Sequence, residues 1–302
     1  PTYSFKGLNK ATVDATAPMA QNRQNTIMLI YPAKAGTMYL ELEKATGDKK
    51  YFEAAKRIAE YYRDNVLANG SWYLLIYTDT NKPESDNCCC TFDILQFLSV
   101  YYKRTNDECY KTLEKNFMKY ITDTRLKTYN WEGQFEDVAL NGNFMDLTHF
   151  VAGNFIEYIS DNFSGDEKDI DTAKELMRFV EDQFVVWGEF APWRRFKNSN
   201  DTVWYSPAAL EQYFWYVPID SSTASVIKDL LCVYKLTGDK LLLEKACALG
   251  DSITRRQNPK NGVIPTHWMK EDCAENLENF WINCHIYTAY VMMKLAEETG
   301  EI

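Results

Sequence analysis

Four carboxylates and an imidazole crowd into 18 residues beside a tryptophan: Glu132, Glu136, Asp137, Asp146 and His149, following Trp131. Cleaving a glycosidic bond needs one acid to protonate the leaving oxygen and a base or nucleophile opposite it. A carboxyl buried against an aromatic ring keeps its proton to higher pH, which suits the acid role. Asp137 and Asp146 lie nearest the helix that follows and are the acid/base candidates. Asp86 is a candidate second carboxylate, and His149 a supporting group. Glu132 and Glu136 equally suit helix caps or solvated positions; Glu136 is assigned a substrate contact.

Two further segments carry groups of the same kind. Trp193-Arg194-Arg195-Phe196 is followed by Trp204 and by the run from Glu211 through Tyr213 to Asp220. Paired arginines grip a carboxylate through bidentate hydrogen bonds, which points to a uronic acid; a surface salt bridge is the plainer reading. His267-Trp268, Trp281 and His285 come last. Glu211, Tyr213, His267 and His285 are candidate contacts to sugar hydroxyls. Trp131, Trp193, Trp204, Trp268 and Trp281 are candidate platforms for sugar rings.

The elements that must position these groups follow from a repeat. Thr46-Gly47-Asp48 recurs as Thr105-Asn106-Asp107, Ser164-Gly165-Asp166, Thr237-Gly238-Asp239 and Thr299-Gly300-Glu301. The intervals are 59, 59, 73 and 62 residues. Glycine supplies the left-handed residue that ends a helix, and the acid after it starts the next. The stretch before each turn is apolar nearly all round, as in Ala224 to Leu236. The stretch after is one-sided: Phe52, Ala55, Ile58, Ala59, Tyr62 and Val66 share one helical face. A buried inner helix, a short turn and an amphipathic outer helix, repeated, predict an all-α chain: an α/α barrel (toroid) of five to six helical hairpins. The period is too long for common open solenoids, whose repeats run ~34 to 47 residues. One domain over 1–302 is expected, with either segment 1–30 completing the ring or the chain being trimmed from a longer parent. Trp72 to Thr78 is a candidate short strand.

In such a barrel the long outer-to-inner connections share one rim, and all eight Trp fall in or beside them. Asp86, Asp146 and Asp220 stand 19, 18 and 17 residues before their turns, at or just before inner-helix starts. That spacing aims carboxylates at one cavity, although N-capping alone also favours Asp there.

Composition narrows the classes. The net charge is −10, with 43 Asp+Glu against 33 Lys+Arg, which disfavours nucleic acid as a partner. Aromatic residues reach 15%, too many for a disordered chain. No apolar run reaches ~18 residues, so no membrane span is expected. Eight Cys lack any CxxC spacing and read mostly as buried thiols. No ligand-spaced cluster or phosphate loop suggests a metal or other cofactor. The chain starts at Pro1 without a signal pattern. A processed N-terminus would make it periplasmic or secreted; otherwise it is cytoplasmic.

The repeats, with the Trp131–Asp137, Glu211–Asp220 and Ile264-Pro265-Thr266-His267 runs, resemble the six-hairpin glycosidase superfamily. Within it the chain looks like carbohydrate-active proteins of gut Bacteroidetes, akin to unsaturated uronyl hydrolases and β-glucuronidase-type enzymes. The resemblance implies two aspartates from successive hairpins lining the cavity, one donating a proton to an unsaturated sugar. Asp86 and Asp146 match those places by repeat. The expected function is hydrolysis of a uronic-acid-containing glycan, with carbohydrate as the partner. The rivals are a lyase using Tyr213 or Tyr216 with His267, an epimerase using His267 and His285, and a glycan-binding module without catalysis.

Overall fold

The computed structural model describes residues 25–134, 147–188, 206–211, 218–268 and 281–301. They fall into two compact units, divided between Leu147 and Thr148.

The N-terminal unit holds two helical hairpins. Strand β1 (Thr26–Met28) leads into α1 (Ile30–Thr46), which turns into α2 (Lys49–Asp64). Strand β2 (Leu75–Tyr77) lies within the expected strand region and pairs antiparallel with β1, Ile27 opposite Ile76. The second hairpin is α3 (Phe92–Thr105) and α4 (Glu108–Asp123), followed by the single turn α5 (Arg125–Thr128). The C-terminal unit contains α6 (Phe150–Asn162) with α7 (Glu167–Phe184), and α8 (Asp220–Thr237) with α9 (Lys240–Arg256). It ends in α10 (Ile282–Thr299). Strand β3 (Val185–Val186) pairs antiparallel with β4 (Ala208–Ala209).

Each residue of the recurring turn has a job. Gly47, Asn106, Gly238 and Gly300 sit in the left-handed region at helix C-termini, where a backbone N–H reaches back to the last turn. The Thr hydroxyl donates to the carbonyl four residues back and accepts the Asp N–H, as in Thr237, Val233 and Asp239. Asp48, Asp107, Asp166 and Asp239 each accept the N–H two residues on at 3.0 Å. These are side-chain N-caps, each worth about 1 kcal/mol.

Helices α3, α6 and α8 are buried over most of their surface, as expected of inner helices. Helices α1 and α10 differ. Tyr31, Met38 and Leu42 on α1, and Ile282, Ile286, Tyr290 and Met293 on α10, are exposed. The apolar stretch before a turn is therefore not always covered on both sides.

Much of the aromatic content is core. In the N-terminal unit Trp72 stands edge-on to Tyr62 and Phe117, with ring centroids 5.3 and 5.1 Å away. Its indole N–H donates to the Tyr62 carbonyl at 2.7 Å, and the Tyr62 hydroxyl donates to the Leu29 carbonyl. A buried aromatic with a polar edge needs such a partner. The connection carrying Trp72 is thus sewn to its own hairpin. Glu43, nearly buried, joins Lys49 at 2.8 Å and Arg104 at 3.1 Å, fastening the first turn to the end of α3. Among the described residues no helix is long and apolar enough to cross a membrane.

Candidate functional site

In the C-terminal unit the segment Ile264 to Trp268 joins the N-terminal ends of two inner-type helices. The Asp220 N–H, in the first turn of α8, donates to the Thr266 carbonyl at 2.9 Å. The Thr266 hydroxyl accepts the Trp281 N–H, just before α10, also at 2.9 Å. Ile219 and His267 form a β-bridge, and the Trp268 N–H donates to the Pro218 carbonyl at 2.9 Å. One threonine thereby fixes the spacing of two helix starts. The run belongs to a motif the sequence had already singled out, and its role is structural as well as local.

Asp220 is the unusual group in this arrangement. Its side chain is 0% exposed. Oδ1 accepts the Ser221 N–H at 2.8 Å. Oδ2 and the Thr288 hydroxyl of α10 are buried without a hydrogen-bond partner among the described residues. Burial pushes the carboxyl up to about 7, although the Ser221 N–H and nearby Thr288 favour its ionised form. A carboxylic acid still carrying its proton near neutrality is a competent proton donor. His267 stands edge-on to Trp281, ring centroids 5.2 Å apart, both half-buried. His285 lies one turn into α10 and donates its backbone N–H to the Trp281 carbonyl at 3.0 Å.

The remaining assigned groups are spread over both units. Trp268 belongs to the cluster, but it is fully buried and its indole N–H donates to the Pro265 carbonyl at 3.0 Å. Glu211 is half-buried, and its backbone carbonyl accepts from the Thr148 hydroxyl at 3.1 Å. His149 is fully buried, 4.3 Å from the Phe150 ring and 5.6 Å from Phe184. Neither of its ring nitrogens has a hydrogen-bond partner among the described residues. Burial drives its pKa down to about 3, so it stays a neutral imidazole in an apolar slot. In the N-terminal unit Asp86 is exposed, six residues ahead of α3. Trp131 is fully buried, so a sugar could stack on it only after it is uncovered. Gln134 clasps the cysteine run: its carbonyl accepts the Cys90 N–H at 2.9 Å and its amide donates to the Cys88 carbonyl at 3.0 Å. Asp137, Asp146, Glu136, Trp193, Arg194, Arg195, Trp204 and Tyr213 lie outside the described residues, as does Tyr216.

Two features were not assigned from sequence. Asp220 was noted by its place in the repeat, but its desolvation is a tertiary effect. Asp229, in the middle of α8, was hidden in an otherwise apolar stretch. It is 0% exposed, with both oxygens unpaired among the described residues. It lies directly on Gly153 of α6, where a Cβ would come within 2.4 Å of Oδ2. Burial, then the Glu157 charge, hold it protonated well above the usual carboxylate range. Glu157 itself pairs with Lys228 at 2.5 Å. Among the described residues, no three His, Cys, Asp or Glu side chains are grouped to hold a metal ion. Of the seven described cysteines three are buried and four half-buried.

No family model and no curated protein matches the chain. Solved structures do. A sugar epimerase from a ruminal bacterium is 14% identical, covering 91% of this chain and 77% of its own, with a TM-score of 0.57. The cellobiose 2-epimerase of Spirochaeta thermophila DSM 6192 is 12% identical over 80% of this chain, with a TM-score of 0.59. This chain spans 63% of that enzyme's length. A family 105 glycoside hydrolase of C. acetobutylicum ATCC 824 is 13% identical, covering 99% of this chain and 78% of its own, with a TM-score of 0.55. At these identities the likeness shows the fold: all-α, of the α/α-barrel type built from helical hairpins.

Proposed function

We propose that the chain is a carbohydrate-active enzyme, and specifically a glycoside hydrolase acting on uronic-acid-containing glycans. One observation carries the reading: a buried, protonated carboxyl at a helix start, Asp220, beside a half-buried His–Trp pair. Hydrolysis needs an acid that holds its proton near neutrality and gives it to the leaving oxygen as the bond breaks. Asp220 holds its proton but, like Trp131, is fully buried, so it reaches a leaving oxygen only after it is uncovered; the half-buried Trp281 and His267 offer a ring face and a polar group for the sugar. The name of the similar family 105 hydrolase agrees with this chemistry. The uronate preference rests on the Arg194-Arg195 pair. Asp137 and Asp146 remain candidates for acid/base work, each tested singly by substitution to Asn.

The test is a screen of uronic-acid oligosaccharides with reducing-end and ultraviolet readouts. Hydrolysis releases reducing ends from saturated substrates without an ultraviolet gain, and Asp220→Asn lowers turnover at least a hundredfold. A gain in ultraviolet absorbance means a lyase. Binding without turnover, the same in Asp220→Asn, means a glycan-binding module. One arrangement favours a second reading. His267 stands edge-on to Trp281, His285 follows one turn into α10, and two of the similar structures are named as epimerases. Epimerisation would incorporate solvent deuterium at a sugar carbon and be lost in His267→Ala, with no bond cleaved.

A further inference from the structure

Trp187 is the most exposed of the described tryptophans. Trp72, Trp131 and Trp268 are 0% exposed and Trp281 is half-buried, whereas Trp187 is 38% exposed. It directly follows β3, whose ladder with β4 anchors its backbone. It opens onto a cavity of about 440 Å³ lined by α7, the C-terminal end of α8 and α9. That volume is within the range of small-molecule sites, ~300–1,000 Å³. Met177, Val233 and Leu242 contribute apolar surface.

The polar lining is balanced. Lys174, Arg178 and Lys245 stand against Glu181, Asp182 and Asp239. Lys245 is held by Glu181 at 2.5 Å, and its ammonium lies 5.7 Å from the centre of the Trp187 ring. Arg178 is tied to Glu175 at 2.6 Å. An exposed aromatic ring among donors and acceptors of both signs, with no excess of either charge, suits a neutral pyranose. Its C–H face would stack on the indole while its hydroxyls meet the carboxylates and ammonium. A free anion or cation would gain little from paired charges. Val233 and Thr237 put the cavity at the far end of α8 from Asp220, roughly 20 Å or more away at ~1.5 Å per residue.

We infer that the α7–α9 groove is a secondary site for neutral sugar residues of a glycan, with Trp187 as its platform. The inference builds on the carbohydrate reading, but its readout is binding alone. The experiment is affinity electrophoresis of the full chain in gels containing hydroxyethylcellulose, galactomannan or polygalacturonate. At least one neutral polymer should retard the wild type. Trp187→Ala should weaken that retardation at least about tenfold, as loss of an aromatic anchor does. Trp187→Phe should keep part of it, and Arg178→Ala, an exposed change that spares the fold, should weaken it several-fold. Circular dichroism confirms that each variant is folded. No retardation by either neutral polymer, or equal retardation of wild type and Trp187→Ala, overturns the site. Retardation by polygalacturonate alone overturns its neutral class. Turnover with a failed groove test leaves the hydrolase standing without the groove. Trp187-dependent retardation without turnover of any glycan leaves the groove and removes the hydrolase.

Discussion

Replacing Asp220 with Asn should make the protein less active and remove a loss of stability that grows with pH. The carboxyl titrates near 3.8 when solvated and at about 7 in its buried place. Below pH 4 it is protonated in both folded and unfolded chains and contributes no pH dependence. Between pH 4 and 7 the unfolded chain gives up the proton and the folded chain keeps it. Stability then falls by about 1.4 kcal/mol per pH unit. Above pH 7 both states are ionised and the loss stays constant. The gap of about three pH units gives a total near ~4 kcal/mol, an upper figure for a site that can relax. An amide does not titrate, so Asp220→Asn removes this slope. The amide's own cost is the same at every pH and drops out of the comparison. Urea unfolding followed by circular dichroism at pH 4.5, 6 and 8 measures it. The variant's stability relative to wild type should rise by ~3–4 kcal/mol across that range. Turnover of any substrate found in the screen should fall at the same time. Parallel pH profiles for the two proteins would refute the buried-acid argument, whatever the activity shows.

The other predictions test groups packed in the same unit. Gly153→Ala places a Cβ 2.4 Å from Asp229 Oδ2 and 2.8 Å from Oδ1, and should cost about 1–3 kcal/mol in thermal or urea unfolding. Combined with Asp229→Ala the loss should be much smaller than the sum, because the crowding atoms are gone; strict additivity would mean the two do not meet. His149 should show no imidazole titration by NMR from pH 5 to 8, since its pKa is held at about 3. Because the unfolded chain binds that proton near 6.5, stability is lost as pH falls below 6.5, and His149→Phe should lessen that loss. A signal that titrates near 6.5 and vanishes in His149→Phe would contradict the buried slot.

What the sequence disclosed, and what it did not, divides along local and tertiary lines. The hairpin turns were legible because all their causes lie within a few residues. Thr237, Gly238 and Asp239 hydrogen-bond to their own helix ends and to each other. The role of tryptophan was less legible. Trp72 and Trp187 both follow outer helices, yet one is sealed against Tyr62 and Phe117 and the other stands open beside Lys245. Chain position placed them alike; what packs over them set their exposure.

The aspartates make the same point for chemistry. Asp48, Asp107, Asp166, Asp239 and Asp220 all stand at or beside the start of a helix, where capping and the helix dipole favour a carboxylate. The first four are exposed in solvated turns and bond to backbone N–H groups as charged caps. Asp220, the first residue of α8, also accepts a backbone N–H, that of Ser221, and is under the same dipole. Those local terms lower a carboxyl's pKa, so by sequence alone Asp220 belongs with the caps. Its proton is retained because Thr266, Thr288 and the neighbouring helix exclude water, and the desolvation cost exceeds the local gain. A buried acid and a solvated cap can therefore share a residue type and a place beside a helix start. Only long-range packing separates them, and Asp220→Asn distinguishes the two: at a solvated cap the variant gains nothing over wild type as pH rises, whereas at a buried acid the variant gains stability over wild type as pH rises from 4 to 7.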